Sequence, residues 1–457
     1  MAIRTFCKER AGMTVGNFPV GFVQIRSVTA VILLLIAPGS VCGQTVSSAK
    51  IQSPPNLLML LADDLGWGDL GLHGGVARTP NIDRIAVEGV ELLRYYTYPV
   101  CSPTRAAILT GQMPRRYGIA SPLQPRDAGL PAGLPTLPRT LHSAGYQTML
   151  VGKWHLGSTS HPNRTGFDHF FGFLGAEIDY HRHTSRNGQV DWQRNGNLIQ
   201  EAGYSTFLLA DEAVRLIQHR DSQRPFFLQV AFNAPHFPLA APPEYEAKYR
   251  NHRGENITRL AMLDALDDAI GRILETLDEE GLRRNTLVVF LSDNGADQSG
   301  RNGPFRGAKG STFEGGIHVP CLLRWPAELD PGTSSQQPMT AQDLFPTLTA
   351  AVGLPWNESL KIDGKNLWDP IRGGTVQDRG PFLIAAANSA LFDGDWKFIE
   401  TAAGTNLLFN LRNDPAETSD RLQEEPVIAE RLQAAMQQLT REFPPVPRRG
   451  PPARPQQ

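Results

Sequence analysis

One pentapeptide of the chain combines a thiol with a cation, Cys101-Ser102-Pro103-Thr104-Arg105. Ser102 is expected to cap a helix and Pro103 to take its first position, and the following apolar residues continue the turns as far as Gly111. A helix N-terminus with an arginine one turn in attracts anions. The segment therefore predicts an anion site beside a cysteine. A small buried cysteine is the alternative, and a cysteine phosphatase would space its thiol and arginine further apart.

Oxygen ligands for a cation stand directly after two apolar runs, 56–62 and 286–291. They are Asp63, Asp64, Asp293 and Asn294. Three clustered carboxylates would repel one another without a cation, and such a set suits hard Ca²⁺. Zinc is not expected, because these four residues include neither cysteine nor histidine. A helix cap or a turn is the alternative for Asp63-Asp64 alone.

Cationic and titratable groups follow in three loops rich in glycine or proline. They are Lys153, His155, His236 and Lys309. Taken singly, each is most simply a solvated surface group or a turn residue. Two of the loops follow further apolar runs, 147–151 and 225–232, so four runs in all end in polar clusters.

The apolar runs lack the alternation of a half-buried strand and therefore predict strands buried on both faces. Amphipathic patterns at 136–144, 205–219 and 259–280 predict helices between them. Strands that alternate with helices indicate an α/β fold with a mostly parallel sheet between helices, which places ligands beyond the carboxyl ends of the strands. Short β-like segments after residue 380 and a helix over 425–442 predict a small C-terminal antiparallel sheet with a helix.

Together, the Cys-x-Pro-x-Arg pattern and the dispersed polar positions resemble the type I sulfatases, in which a dedicated formylglycine-generating enzyme oxidises this cysteine to an aldehyde. The resemblance implies an alkaline-phosphatase-like fold and a calcium site formed by Asp63, Asp64, Cys101, Asp293 and Asn294. It implies that Arg105 and Lys153 hold the hydrated aldehyde and the sulfate, and that proton transfer falls to His155, His236 and Lys309. Lys153, His236 and Lys309 would also contact the substrate.

Within that family the chain looks most like the arylsulfatase B group, which removes the 4-sulfate of N-acetylgalactosamine. The implied substrate is a sulfated carbohydrate, with His181, His183 and Trp192 in the sugar subsite. Two alternatives remain: a phosphonate or phosphate monoester hydrolase of the same superfamily, and a non-catalytic glycan-binding protein on this fold.

The chain of 457 residues has a formal net charge of −2, which gives no general attraction to nucleic acid. Residues 1–43 resemble a secretory signal whose apolar run is too short for a membrane span, so export to the periplasm or medium is expected. Without this leader only Cys101 and Cys321 remain, and a disulfide between them is a minor alternative. The predicted division is a catalytic domain at 51–370, a C-terminal subdomain at 380–443 and a disordered tail at 444–457.

Overall fold

A computed structural model of the chain describes residues 54–124, 127–157, 159–355 and 357–444. The predicted leader and all but the first residue of the predicted tail lie outside the described residues. Where the structure describes the chain, no helix is long and apolar enough to span a membrane.

A ten-stranded mixed sheet forms the centre of the fold, in the strand order β11-β2-β10-β9-β1-β8-β4-β5-β6-β7. Its strands are β1 (Asn56–Ala62), β2 (Val90–Leu92), β4 (Gln147–Lys153), β5 (His169–Phe173), β6 (Gln193–Arg194), β7 (Asn197–Leu198), β8 (Phe226–Ala231), β9 (Thr286–Ser292), β10 (Cys321–Arg324) and β11 (Thr333–Ser335). A separate two-stranded pair joins β3 (Tyr95–Tyr96) to β12 (Met339–Thr340).

Both faces of the large sheet are buried at its central strands, as the unbroken apolar runs predict. Alternate residues of β1 enter two different cores: Leu57, Met59 and Leu61 pack on one side, and Leu58 and Leu60 on the other. The described residues form ten α-helices, several of which cover the two faces of the large sheet. They are α1 (Pro80–Val87), α2 (Cys101–Thr110), α3 (Leu137–Ser143), α4 (Ser205–Gln218), α5 (Pro243–Tyr249), α6 (Ile257–Glu279), α7 (Glu314–Ile317), α8 (Leu344–Ala351), α9 (Trp368–Gly373) and α10 (Pro426–Thr440).

The four predicted strands are neighbours in the sheet. β1 pairs in parallel with both β8 and β9, and β4 pairs in parallel with β8. Their carboxyl ends therefore meet at one edge of the sheet, where ligands of such folds bind. The α/β class, the central sheet and the helices that flank it are confirmed. The sequence did not single out β5 or the antiparallel strand β10.

A small antiparallel sheet follows, made of β13 (Phe382–Ala385), β14 (Ser389–Asp393), β15 (Trp396–Glu400) and β16 (Asn406–Asn410). One of its faces packs on α10 through Leu391, Phe398 and Leu432. Its other face, with Ile384 and Phe392, belongs to the core that also contains one side of the large sheet. The predicted small sheet and helix are confirmed. The predicted catalytic domain ends at residue 370, inside α9, and the predicted subdomain begins at residue 380, just before β13. This division stays a prediction.

Candidate active site

Backbone hydrogen bonds hold the ends of three adjacent strands together at this edge. The N–H of Asp63 donates to the carbonyl of Ala234 at 3.1 Å, and the N–H of Asp293 donates to the carbonyl of Ala62 at 3.2 Å. Asp64 has φ +67°, a left-handed conformation that costs a non-glycine residue about 1–3 kcal/mol. The strained turn places two consecutive carboxylates at the edge of the sheet, and both are buried.

Helix α2 brings Cys101 to the same edge, but it begins two residues earlier than expected. Its N-cap is Val100, and Ser102 lies inside the first turn. The predicted capping role of Ser102 is therefore wrong. The Ser102 hydroxyl instead donates to the carbonyl of His155 and accepts from the N–H of Leu123, both at 2.9 Å. Gly111, at φ +65°, ends the helix as expected.

Four side chains offer one ligand atom each within 4.8 Å of one another: Asp63, Asp64, Cys101 and His236. Asp293 and Asn294 contact this group through Asp64. The N–H of Asp64 donates to Asp293 Oδ1 at 3.3 Å, and Asn294 Nδ2 donates to Asp64 Oδ1 at 2.7 Å. The sequence argument against zinc assumed a group without cysteine or histidine, and the structure corrects that assumption because both types are present.

Each carboxylate of the predicted calcium site has a cation beside it. Lys153 Nζ lies 2.5 Å from Asp63 Oδ2, and Lys309 Nζ lies 2.7 Å from Asp64 Oδ1. Arg105 donates to Asp293 Oδ2 from Nη2 at 2.7 Å and to the carbonyl of Lys153 at 3.1 Å. Predicted sulfate-binding cations and predicted metal ligands thus form one buried network.

The two predicted histidines flank the group differently. His155 is buried at φ +53°, with Nε2 3.1 Å from the carbonyl oxygen of Leu123. Burial, together with the charge of Lys153, lowers the pKa of His155 well below its ordinary value. His236 Nε2 lies 3.6 Å from Asp64 Oδ2. Burial and the charge of Lys153 lower its pKa to about 4. Both rings are therefore neutral in the structure at neutral pH.

The thiol of Cys101 is a poor nucleophile in this environment. Burial raises its pKa to about 12, although the charge of Lys153 opposes the rise. A thiolate is the reactive form of cysteine, so the site does not suit cysteine-phosphatase chemistry. Cys101 and Cys321 are both free and buried, which contradicts the minor expectation of a disulfide between them.

Two oxygens at this edge indicate that the group can hold a hard cation. Asp63 Oδ1 and Asn294 Oδ1 are buried, and within the described part of the chain neither has a hydrogen-bond partner. An unpartnered buried oxygen is costly and calls for an explanation. Oxygens of carboxylates and amides are the ligands that Ca²⁺ takes, so the residues present fit that ion.

Comparison with known proteins agrees with this arrangement of residues. The family model described as Sulfatase matches residues 55–354. The chain belongs to the sulfatase family. As a sulfatase it is a sulfuric ester hydrolase, and the matched range contains the whole cluster from Asp63 to Lys309.

Individual relatives of this sulfatase include one that is named for a sulfated sugar. It is 38% identical to the N-acetylgalactosamine-6-sulfatase of Homo sapiens over 360 residues, which cover 72% of this chain and 68% of the relative. It is 35% identical to arylsulfatase J of Mus musculus over 348 residues, 72% of this chain and 58% of that one. The crystal structure of Ps i-CgsB in complex with k-i-k-neocarrahexaose has a TM-score of 0.81 and 31% identity, covering 86% of this chain and 94% of the other.

The predicted sugar subsite is only partly accessible. Trp192 and His183 are buried and stack on each other with ring centroids 4.5 Å apart, so neither can line a subsite. His181 is exposed and packs near Tyr204, but it does not line the cavity of 580 Å³ that opens beside His155. The following segment, 185–191, contributes much of that cavity's wall.

A buried ionic network that the sequence did not suggest lies behind the Lys309 loop. Lys397 Nζ of β15 is 2.8 Å from Glu314 Oε1 and 2.8 Å from Glu417 Oε1. The N–H of Glu314 donates to Glu417 Oε2 at 2.6 Å, and Arg306 Nη1 donates to the carbonyl of Glu417 at 2.8 Å. Lys397 of the small C-terminal sheet and Glu417 of the loop that follows it thereby hold the two ends of the segment 306–314, which carries Lys309.

Proposed function

We propose that this sulfatase removes sulfate from a carbohydrate, with Cys101 converted to formylglycine and Ca²⁺ bound beside it. The observation that carries the proposal is a pair of buried oxygens on adjacent strand ends, Asp63 Oδ1 and Asn294 Oδ1, which have no hydrogen bond within the described residues. The nearest cation to the first is Arg105 Nη2, at 3.8 Å. An oxygen at position 101 in place of sulfur would suit the same hard cation better than a thiol does.

Asp63, Asp64, Asp293 and Asn294 would hold the ion, together with residue 101. Bound there, Ca²⁺ would add positive charge next to the sulfate oxygens. A hydrated aldehyde at position 101 would supply one hydroxyl to attack sulfur, which breaks the bond from sulfur to the leaving oxygen. Loss of a proton from the second hydroxyl would then form the aldehyde again and break the bond from its carbon to the sulfate oxygen, which releases sulfate.

The remaining side chains stabilise charge and move protons. Lys153 lies beside Asp63 and Lys309 beside Asp64. Their fixed charges stabilise the negative charge that develops on sulfate and on the leaving oxygen. His155 Nδ1 is buried and has no hydrogen-bond partner within the described residues. It can therefore accept a proton from the group at position 101. Lys309, and His236 once the negative charge of a bound sulfate ester raises its pKa, are proposed to supply the proton to the leaving oxygen.

The proposed substrate is a sulfate ester of N-acetylgalactosamine in a glycan. The 6-sulfatase name of the human relative supports that sugar but points to its 6-position, whereas the sequence resemblance suggested the 4-position. Both positional isomers belong in the substrate test. We also propose export through the 1–43 segment and maturation by a formylglycine-generating enzyme.

The test combines a mass with a substrate panel. Protein made with a formylglycine-generating enzyme should contain an aldehyde in the peptide that carries residue 101. It should hydrolyse N-acetylgalactosamine 4-sulfate or 6-sulfate, and nitrophenyl sulfate faster than nitrophenyl phosphate. Cys101→Ala should abolish turnover, whereas Cys321→Ala, at the other buried cysteine, should keep it. Full activity of Cys101→Ala, or a preference for the phosphate ester, would refute the proposal.

A further inference from the structure

The cavity beside His155 lies close to the start of helix α2, although Cys101 itself does not line it. Two of its lining residues, His155 and Leu123, are bonded to the hydroxyl of Ser102, the residue next to Cys101. A volume of 580 Å³ lies within the usual range for ligand pockets, roughly 300–1,000 Å³. A group attached to a sulfate at Cys101 therefore has space on this side.

The cavity wall has the chemistry that binds hydroxyl groups. Gln124, Asn187 and Gln189 contribute amides, and Glu177 and Arg186 contribute an ion pair with Arg186 Nε 2.5 Å from Glu177 Oε1. Amides offer both donors and acceptors, while a guanidinium offers five donors in a fixed plane. This set fits an uncharged polar ring better than an apolar aryl group.

Arg186 is held in place from two sides. Glu177 pairs with it from within the cavity, and its Cζ lies 5.9 Å from the ring centroid of Phe237, a cation–π distance. Its side chain is nevertheless 76% exposed, so it presents donors to the cavity. Phe237 directly follows His236 and is 53% exposed. Arg186 therefore connects the His155 side of the site with the His236 side.

We propose that Arg186, oriented by Glu177 and Phe237, binds oxygen atoms of the sugar ring that carries the sulfate ester and so selects carbohydrate over aryl sulfates. This inference rests on the proposed carbohydrate function and deepens it. The residue contacts the part of the substrate that leaves, not the sulfate.

The chain provides a matched control in the same segment. Arg182 pairs with Asp179 at 3.2 Å and its side chain is 80% exposed, but it does not line the cavity. Arg186→Met and Arg182→Met therefore remove the same charge from similarly exposed ion pairs. Phe237→Leu provides a second perturbation at the site.

The experiment compares kcat/KM on an N-acetylgalactosamine sulfate with kcat/KM on nitrophenyl sulfate. Arg186→Met should lower the ratio of the two about tenfold to hundredfold, mainly through KM on the sugar, because hydrogen bonds from a charged donor are lost. Phe237→Leu should lower the ratio less, and Arg182→Met should leave it at the wild-type value.

Two outcomes would overturn the inference in distinguishable ways. If the wild-type enzyme hydrolyses the sugar sulfate and Arg186→Met keeps the wild-type ratio, the subsite is wrong and the carbohydrate function stands. If the wild-type enzyme hydrolyses nitrophenyl sulfate but no sulfated sugar, the carbohydrate function fails, and the subsite fails with it.

Discussion

Replacing Lys397 by methionine tests whether the small C-terminal sheet supports the active site. The side chains of Lys397, Glu314 and Glu417 are 0%, 3% and 0% exposed. Methionine preserves most of the side-chain volume but leaves two buried carboxylates that face each other without the lysine, with only the ring of His318 2.9 Å from Glu314 Oε2. Removal of one partner from a buried ion pair costs about 3–5 kcal/mol.

That loss of unfolding free energy corresponds to a measurable decrease in the melting temperature, Tm. With an unfolding entropy of about 2.1 cal/mol/K per residue and roughly 400 folded residues, a loss of about 3–5 kcal/mol lowers Tm by about 4–6 °C. Lys361→Met, at an exposed lysine, should change stability by less than about 0.5 kcal/mol. Thermal unfolding followed by circular dichroism measures both.

The pH dependence has a defined sign. Burial opposes the charge of Glu314, but Lys397 and His318 lower its pKa to about 2 in the wild-type chain. Its contribution to stability is therefore fully present above about pH 4.3 and is lost as the pH falls towards 2. Without Lys397 the buried carboxyls should instead take up protons below neutral pH. The difference in Tm between wild type and Lys397→Met should be larger at pH 8 than at pH 5.

Activity separates support of the active site from stability alone. Because the network holds the segment 306–314, Lys397→Met should also lower kcat/KM at temperatures well below its Tm, and more on a sugar sulfate than on nitrophenyl sulfate. Glu417→Gln combined with Lys397→Met should recover part of the stability, since one uncompensated charge is gone. A wild-type Tm would refute the energetic reasoning. A lowered Tm with wild-type kcat/KM on both substrates would refute the positioning of Lys309.

Two further predictions concern the metal and the leaving group. Asn294→Leu should lower the bound calcium and kcat/KM by about tenfold or more. Calcium rather than zinc should restore the activity of the chelator-treated wild-type enzyme. Stoichiometric zinc without calcium would contradict the assignment. His236→Ala and Lys309→Ala should each lower kcat/KM on a sugar sulfate by about 10²–10⁴-fold, but much less on nitrophenyl sulfate, whose leaving group departs without a proton. Lys153→Ala should lower kcat/KM on both substrates alike. Equal losses on the two substrates for all three variants would refute the acid role.

Local sequence pattern predicted the parts of the site that each follow a buried strand. Asp63 and Asp293 come directly after apolar runs, and parallel pairing then necessarily brings their strand ends together. The pattern misjudged Ser102, because a capping preference does not reveal that its hydroxyl has partners in His155 and Leu123. Tertiary contacts override such local preferences.

Long-range ionic contacts left no comparable signal. Lys397 and Glu417 follow the Glu314 segment by about a hundred residues, and neither belongs to a motif with a recognised chemical role. The burial of Trp192 could not be predicted either, because the sequence around an aromatic residue near a predicted subsite does not show whether its ring is buried or exposed. Only the packing of the folded chain distinguishes these cases.

The burial of helix α2 bears on how the enzyme is made. All ten of its residues are buried, and Cys101 is only 2% exposed. The proposed maturation enzyme would therefore have to act on the nascent or unfolded chain, before the helix docks. In a host where folding outpaces oxidation, the product would be well folded, soluble and inactive. The specific activity of a preparation would then measure the fraction of chains that were oxidised at Cys101 before they folded. Refolding the finished protein would not by itself supply the missing aldehyde.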